Sequence, residues 1–195
     1  MKKRNILIGV TGSVAAIKVD EFVKRLKEIV ISNKIEIEIK IVATDSAKNF
    51  LNDSILDLLV KCQDEFSSWV NIGDDILHIN LRQWADLYII LPLTANTLAK
   101  LSNGLCDNLL TNIARAWDFK KPIIVCPAMN TFMWEHPITL MQINTLISFG
   151  YKVVFPIEKK LACGEYGMGG MQEVEKIIEK ILLEINLPKK ILASE

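Results

Sequence analysis

Residues 5–10, 87–91, 123–126 and 151–155 are short, nearly unbroken apolar runs, and the stretches between them repeat their apolar residues at helical spacing. That alternation constrains the fold more than anything else in the chain. A strand with no polar side has to be covered on both faces, so these runs belong inside a sheet. Pro92, Pro127 and Pro156 follow three of the runs directly and read as their ends. Glu36-Ile37-Glu38-Ile39-Lys40-Ile41 alternates instead, which predicts a strand over 36–43 with one polar side, near an edge. Helices are expected over 14–30, 97–101, 107–117, 137–149 and 173–185. The last has the cleanest stripe, formed by Val174, Ile177, Ile178, Ile181, Leu182 and Ile185. Residues 52–75 show no firm period. Strand and helix in alternation, with short connections, predict an α/β fold: a three-layer arrangement with a parallel sheet and helices on both faces. No repeat, linker or break in composition interrupts residues 1–195, so one domain is expected.

Composition removes several classes of function. Lys and Arg number 23, as do Asp and Glu, and the isoelectric point is near 6.7. Such a chain lacks the basic face that nucleic acid or an anionic membrane would require. Hydrophobic residues make up 50% and mean hydropathy is +0.26, a surplus that a subunit interface would absorb. Met1-Lys2-Lys3-Arg4 before an apolar run imitates a secretory leader. Thr11, Gly12 and Ser13 interrupt that run and an amphipathic pattern follows, so it reads as a first buried strand. No uncharged run approaches the roughly 18 apolar residues of a membrane span. Cys62, Cys106, Cys126 and Cys163 form no C-x-x-C pair and no zinc-knuckle spacing, so no metal is expected. Three of the four read as packing, in a reduced, cytoplasmic protein.

In a parallel sheet with helices on both faces, ligands bind outside the carboxyl ends of the strands. The polar and special residues of this chain gather there: Thr11-Gly12-Ser13, Thr44-Asp45-Ser46, Pro92-Leu93-Thr94-Ala95-Asn96-Thr97 and Pro127-Ala128-Met129-Asn130 each follow a strand. Gly9-Val10-Thr11-Gly12-Ser13 before a helix suits an anion, because glycine admits close approach and free N–H groups face the ligand. It is not G-x-G-x-x-G, and Asp45 stands too far from Gly12 for the ribose contact of a nicotinamide site. A mononucleotide or flavin phosphate fits better. His78 sits among apolar residues just before a short helical stretch, and His136 reads as part of a helix start. Four glycines and Cys163 crowd into 161–171, which reads either as a plain surface loop or as a mobile lid that brings a thiol to substrate.

Five motifs in order carry a resemblance: Gly12-Ser13-Val14-Ala15-Ala16, Leu77-His78-Ile79, Pro92-Leu93-Thr94-Ala95-Asn96-Thr97, Pro127-Ala128-Met129-Asn130-Thr131-Phe132-Met133-Trp134 and Ala162-Cys163-Gly164. Together they resemble the homo-oligomeric flavin-containing cysteine decarboxylases, over nearly the whole chain. The resemblance implies a flavodoxin-like, Rossmannoid sheet that binds FMN and assembles as a homotrimer, with active sites between subunits. It also implies the chemistry, decarboxylation of 4′-phosphopantothenoylcysteine to 4′-phosphopantetheine in coenzyme A biosynthesis. The substrate thiol is oxidised, carbon dioxide leaves because the new C=S group accepts its electrons, and the product is then reduced, with no external oxidant consumed.

Carried over residue by residue, His78 resembles the family's catalytic histidine, acting on the substrate carboxylate or as a base. Cys163 resembles the cysteine that donates a proton when the enethiol is reduced. Asn130 resembles the residue that binds the substrate carboxylate, with Met133 beside it, and Ala162 and Gly164 belong to the substrate-recognition flap at about 156–172. Gly12, Ser13 and Val14 match the FMN phosphate loop. Thr44, Ser46 and Phe50 lie near the ring or ribitol, and Thr94, Ala95, Asn96, Thr97 and Ala128 complete the pocket. Two residues depart from the pattern, both in the flap: Glu165 stands where the family usually has Asp, and Gly170 where larger or basic residues occur.

Other readings point elsewhere. A halotolerance-type regulator that inhibits a protein phosphatase typically carries an acidic tail, whereas residues 188–195 are short and mixed in charge. A peptidyl-cysteine decarboxylase shares most motifs, so that choice rests on the flap and on Trp84-Ala85-Asp86. A flavin prenyltransferase lacks the Pro-Ala-Met-Asn stretch and the cysteine flap, and a nicotinamide oxidoreductase needs the missing fingerprint.

Overall fold

The structure is a computed structural model that describes residues 3–60 and 71–185. In chain order the elements are β1 (Arg4–Val10), a 3₁₀ turn (Val14–Ile17), α1 (Lys18–Ser32), β2 (Ile37–Ala43), α2 (Asp45–Lys48), a second 3₁₀ turn (Asp53–Leu58), α3 (Leu77–Trp84) and β3 (Leu87–Leu93). There follow α4 (Ala95–Asn103), α5 (Leu109–Arg115), β4 (Ile123–Pro127), α6 (Thr131–Glu135), α7 (Pro137–Ser148), β5 (Lys152–Val153), β6 (Ile157–Lys160), β7 (Tyr166–Gly170) and α8 (Val174–Glu184). Strands β1 to β5 make one parallel sheet in the order β2-β1-β3-β4-β5, the flavodoxin-like order. β2 is the edge strand that its alternating pattern predicts.

Successive side chains of a strand face opposite layers, and the sheet divides its apolar residues accordingly. Ile6, Ile8, Leu87 and Ile89 pack under α1 and α8, against Phe22, Leu26, Ile177 and Ile181. Leu7, Tyr88, Ile90 and Val125 face α3, α4, α5 and α7 on the other side, against Leu81, Leu98, Ile113 and Ile143. The sheet is therefore fully sandwiched, which the unbroken apolar runs require. After β2 the chain crosses to β3 on the far side of β1, and this reversal opens a crevice at the carboxyl ends of β1 and β3.

Local expectations needed five corrections. Pro92 does not end its strand. β3 continues to Leu93 through a cis Leu91–Pro92 bond, and the ladder to β4 shifts register between Ile90 and Leu93, so no N–H is required of residue 92. Likewise Pro127 is the last residue of β4 rather than its stop. The expected strand over 151–155 pairs only at Lys152 and Val153, because the Tyr151 N–H closes α7 on the Leu146 carbonyl at 3.0 Å. The expected helix over 14–30 begins as a 3₁₀ turn capped by Ser13, and α4 starts at Ala95 because Thr94 caps it.

The largest difference is at 156–172, where the glycine-rich segment is not a loop. β6 and β7 form an antiparallel hairpin outside the main sheet, with only residues 161–165 at its tip. The short helix α6 was also not foreseen. The tail at 188–195 and Cys62 lie outside the described residues. Among the described residues no helix is long and apolar enough to cross a membrane.

Candidate active site at the carboxyl ends of the strands

Thr11, wholly buried after β1, ties the crevice together. Its hydroxyl donates to the Pro92 carbonyl at 2.7 Å and accepts from the Thr94 N–H at 3.0 Å, joining the loops that follow β1 and β3. Gly12 makes a second junction: a Cβ there would collide with the Ser46 side chain, so only glycine lets the first and second loops close on each other. Ser13 Oγ accepts from the Ala15 N–H at 3.3 Å, and Thr44 and Ser46 share a hydroxyl contact of 3.2 Å. Thr94 Oγ1 accepts from the Thr97 N–H at 3.4 Å. Hydroxyls from Ser13, Thr44, Ser46 and Thr94 thus stand at the ends of three adjacent strands, with helix starts behind them. That donor set, around a glycine cradle, fits the phosphate and ribityl chain of FMN.

Beside it opens a cavity of about 520 Å³, within the usual range for a cofactor or small-molecule site. Ser13 and Val14 line it from the first loop, Ala128 and Asn130 from the loop after β4, and Ala162 and Cys163 from the hairpin tip. Lys18 also lines it, without having been singled out from the sequence, and so do Lys159 and Met171, which were expected only as part of the flap at 156–172. Lys18 was legible, since it follows Val14 by four residues and so shares its face at a helix start. The other two depend on the hairpin.

The hairpin is seated on the loop after β4. The Met129 N–H donates to the Gly169 carbonyl at 2.9 Å, and Gly169, at φ +125°, lies so close that a Cβ would collide with the Met129 carbonyl. Lys159 Nζ holds its base by donating to the Met171 carbonyl at 2.6 Å, with Glu173 at 3.3 Å. At the tip, Asn130 Nδ2 reaches Cys163 Sγ at 3.8 Å and Glu165 Oε2 at 3.3 Å, and the Cys163 thiol donates to Glu165 Oε2 at 3.6 Å. Asn130 is also the N-cap of α6, its Oδ1 accepting from the Phe132 N–H at 2.9 Å.

The other expected residues fall at varied distances from this centre. His78 is half-buried near the start of α3, in the layer opposite α1 and α8, and does not line the cavity. Met133 is exposed on α6, and Gly164 lies at the hairpin tip. Phe50 packs half-buried against the core under α1, while Thr97 is buried, Ala95 half-buried and Asn96 exposed at the start of α4. His136 caps α7, its Nδ1 accepting from the Ile138 N–H at 3.3 Å, as its position suggested. Asp45 is exposed and pairs with Lys48 at 2.8 Å, whose hydrogen bond and charge lower its pKa from the ordinary carboxylate value.

The cysteines separate cleanly. Burial pushes the Cys126 thiol well above its ordinary range, so it stays protonated and inert inside β4. Cys163 is exposed at the cavity mouth. Cys106 is exposed between α4 and α5, so it is not the packing residue expected of it.

The sequence model of the Flavoprotein family matches residues 1–186. Phosphopantothenoylcysteine decarboxylase of Mus musculus is 46% identical over 92% of this chain and 86% of its own length. Among solved structures, a mutant of PPC (phosphopantothenoylcysteine) decarboxylase complexed with pantothenoylaminoethenethiol is 44% identical, with a TM-score of 0.82, covering 93% of this chain and 98% of its own. The FMN binding protein AtHal3 is 45% identical, with a TM-score of 0.80, covering 93% and 96%.

Proposed function

This chain belongs to the flavoprotein family, and from that premise we propose that it is an FMN-dependent decarboxylase converting 4′-phosphopantothenoylcysteine to 4′-phosphopantetheine in coenzyme A biosynthesis. One observation carries the reading: the Asn130 amide and the exposed Cys163 thiol meet at the mouth of a cavity whose other wall is the Ser13-Val14 loop after β1.

When bound, FMN would supply the two-electron redox chemistry that decarboxylation of the substrate's cysteine unit needs, with no external oxidant consumed. The protein's part is placement. The Ser13, Thr44, Ser46 and Thr94 hydroxyls and the N–H groups beside them hold the phosphate and ribityl chain. Val14, Ala128 and Met171 give the cavity an apolar wall that excludes water from the reacting carbon. Asn130 holds the substrate carboxylate through its Nδ2, with Met133 packing nearby, and the tip backbone at Ala162 and Gly164 closes over the substrate. Cys163 then donates the proton that completes the product.

His78 acts on the substrate carboxylate or as a base, and it does so from a neighbouring chain of a homotrimer. Two features support that assembly. His78 does not line the cavity of its own chain, and Phe132 on α6 with Leu140 and Met141 on α7 are 72%, 63% and 67% exposed, apolar side chains that a subunit contact would cover. The free thiols of Cys106, Cys126 and Cys163 suit a reducing compartment, the cytoplasm.

The test is a mass-spectrometric assay of the purified, flavin-loaded protein with 4′-phosphopantothenoylcysteine. Phosphopantetheine at many turnovers per protomer is the expected result. No product from a protein that visibly carries flavin would overturn the reading.

A further inference from the structure

Asn130 has no spare donor. The Phe132 N–H donates to its Oδ1 at 2.9 Å and so fixes which way the amide faces, leaving both Nδ2 hydrogens toward the hairpin. One reaches Glu165 Oε2 at 3.3 Å and the other Cys163 Sγ at 3.8 Å. The tip backbone aims Glu165 there, because the Leu161 N–H donates to the Glu165 carbonyl at 2.8 Å and the Gly164 N–H to the Leu161 carbonyl at 2.9 Å. The three groups close a ring: amide to thiol, thiol to carboxylate, amide to carboxylate.

A substrate carboxylate that takes Asn130 therefore needs the position Glu165 holds. Two carboxylates cannot share one amide hydrogen without like-charge repulsion. We infer that Glu165 is a positioning residue that latches the empty site: its carboxylate stands in for that of the substrate on Asn130, and the arriving substrate displaces it and frees the Cys163 thiol to turn toward the reacting carbon. Thiol delivery is thereby tied to occupancy by a carboxylate. This inference rests on the reading of Asn130 as the group that binds the substrate carboxylate.

The experiment measures binding to the FMN-loaded protein of two ligands that differ only in the carboxylate. One is 4′-phosphopantothenoylserine, which keeps the carboxylate and has a hydroxyl for the thiol; the other is N-(4′-phosphopantothenoyl)ethanolamine, which lacks the carboxylate. In Glu165→Ala the carboxylate ligand is expected to bind about three- to five-fold more tightly, the worth of one exposed charge-assisted contact, with the ethanolamine ligand unchanged. Glu165→Gln keeps the length and the acceptor without the charge, and is expected to shift the same ligand in the same direction by less. An unaltered flavin spectrum checks that both variants fold. A shift common to both ligands, no shift, or weaker binding of the carboxylate ligand overturns the latch. Failure of the underlying reading has another signature, since Asn130→Ala would then bind the carboxylate ligand as tightly as the unaltered protein does, whereas a failed latch with Asn130 still holding the carboxylate leaves that variant weakened for this ligand alone.

Discussion

The floor of the cavity and the hairpin above it are held by different means. On the floor, hydroxyls and backbone groups bond across the ends of β1, β2 and β3, and Thr11 makes its two contacts where water does not reach. The hairpin is fixed at its base by Gly169 on Met129 and by Lys159 on Met171, but its tip at 161–165 is largely exposed and reaches the loop after β4 through the side chains of Cys163 and Glu165 on Asn130. A cofactor bound to the floor would be held by buried contacts, whereas the thiol proposed to react, that of Cys163, sits on an exposed tip. Each region should therefore fail in its own way.

The largest effects come from removing reacting groups, and they test whether the two regions act together. His78→Asn leaves floor and hairpin intact, so flavin should stay bound while turnover falls by about 10²- to 10⁴-fold, the usual share of a general acid or base. Near-normal turnover would remove His78 from the chemistry. Cys163→Ser touches the hairpin tip only. Carbon dioxide should still be released, but the product should lack the two hydrogens restored in the last step, a mass difference that a spectrometer resolves. Ordinary phosphopantetheine from that variant would mean that another group donates the proton.

Legibility in the sequence follows the same division. β1, β2, α1 and α8 were readable because each buries one regular face in a shared core, and burial imposes a period on the residues. The loops of the floor were readable because a parallel sheet delivers its strand ends to one place. The hairpin was not, for Tyr166-Gly167-Met168-Gly169-Gly170 has little intrinsic preference for a strand. It becomes one by pairing with β6 and settling on Met129, contacts that no local pattern announces. Glu165 likewise stood out only as a departure from a motif, and its role depends on Asn130, 35 residues away in sequence. His78 was recognised by its motif, and it does not line the cavity where Cys163 sits, so nothing within the one chain joins the two.

Gly169→Ala separates the regions from the hairpin side. Alanine at φ +125° is strained by about 1–3 kcal/mol, and its Cβ would press on the Met129 carbonyl, so the hairpin has to lift. Formation of phosphopantetheine should fall by about ten-fold or more as Cys163 moves out of reach, while carbon dioxide release persists. The melting temperature should drop by about 4–8 °C, since 2 kcal/mol is worth that much in a chain of this size. Flavin affinity should hardly change. If flavin is lost along with activity, the hairpin is part of the cofactor site and the division drawn above is wrong.

Thr11→Val approaches from the floor and should do the opposite. Valine fills the same space, so packing under the sheet is kept, but it leaves the Pro92 carbonyl and the Thr94 N–H without the hydroxyl that now serves both. A buried polar group stripped of its partner costs about 1–3 kcal/mol, and partial relaxation of the exposed side of Thr94 puts the expected loss near the lower end, about 1–2 kcal/mol. Calorimetry should show a fall of roughly 2–8 °C in the melting temperature of the flavin-free protein. Because the hydroxyl ties the β1 loop to the start of α4, the flavin dissociation constant should rise as well, while turnover per bound flavin stays close to that of the unaltered protein. A variant that binds flavin normally but turns over slowly would mean that Thr11 transmits its effect to the hairpin, and that floor and hairpin are one mechanical unit.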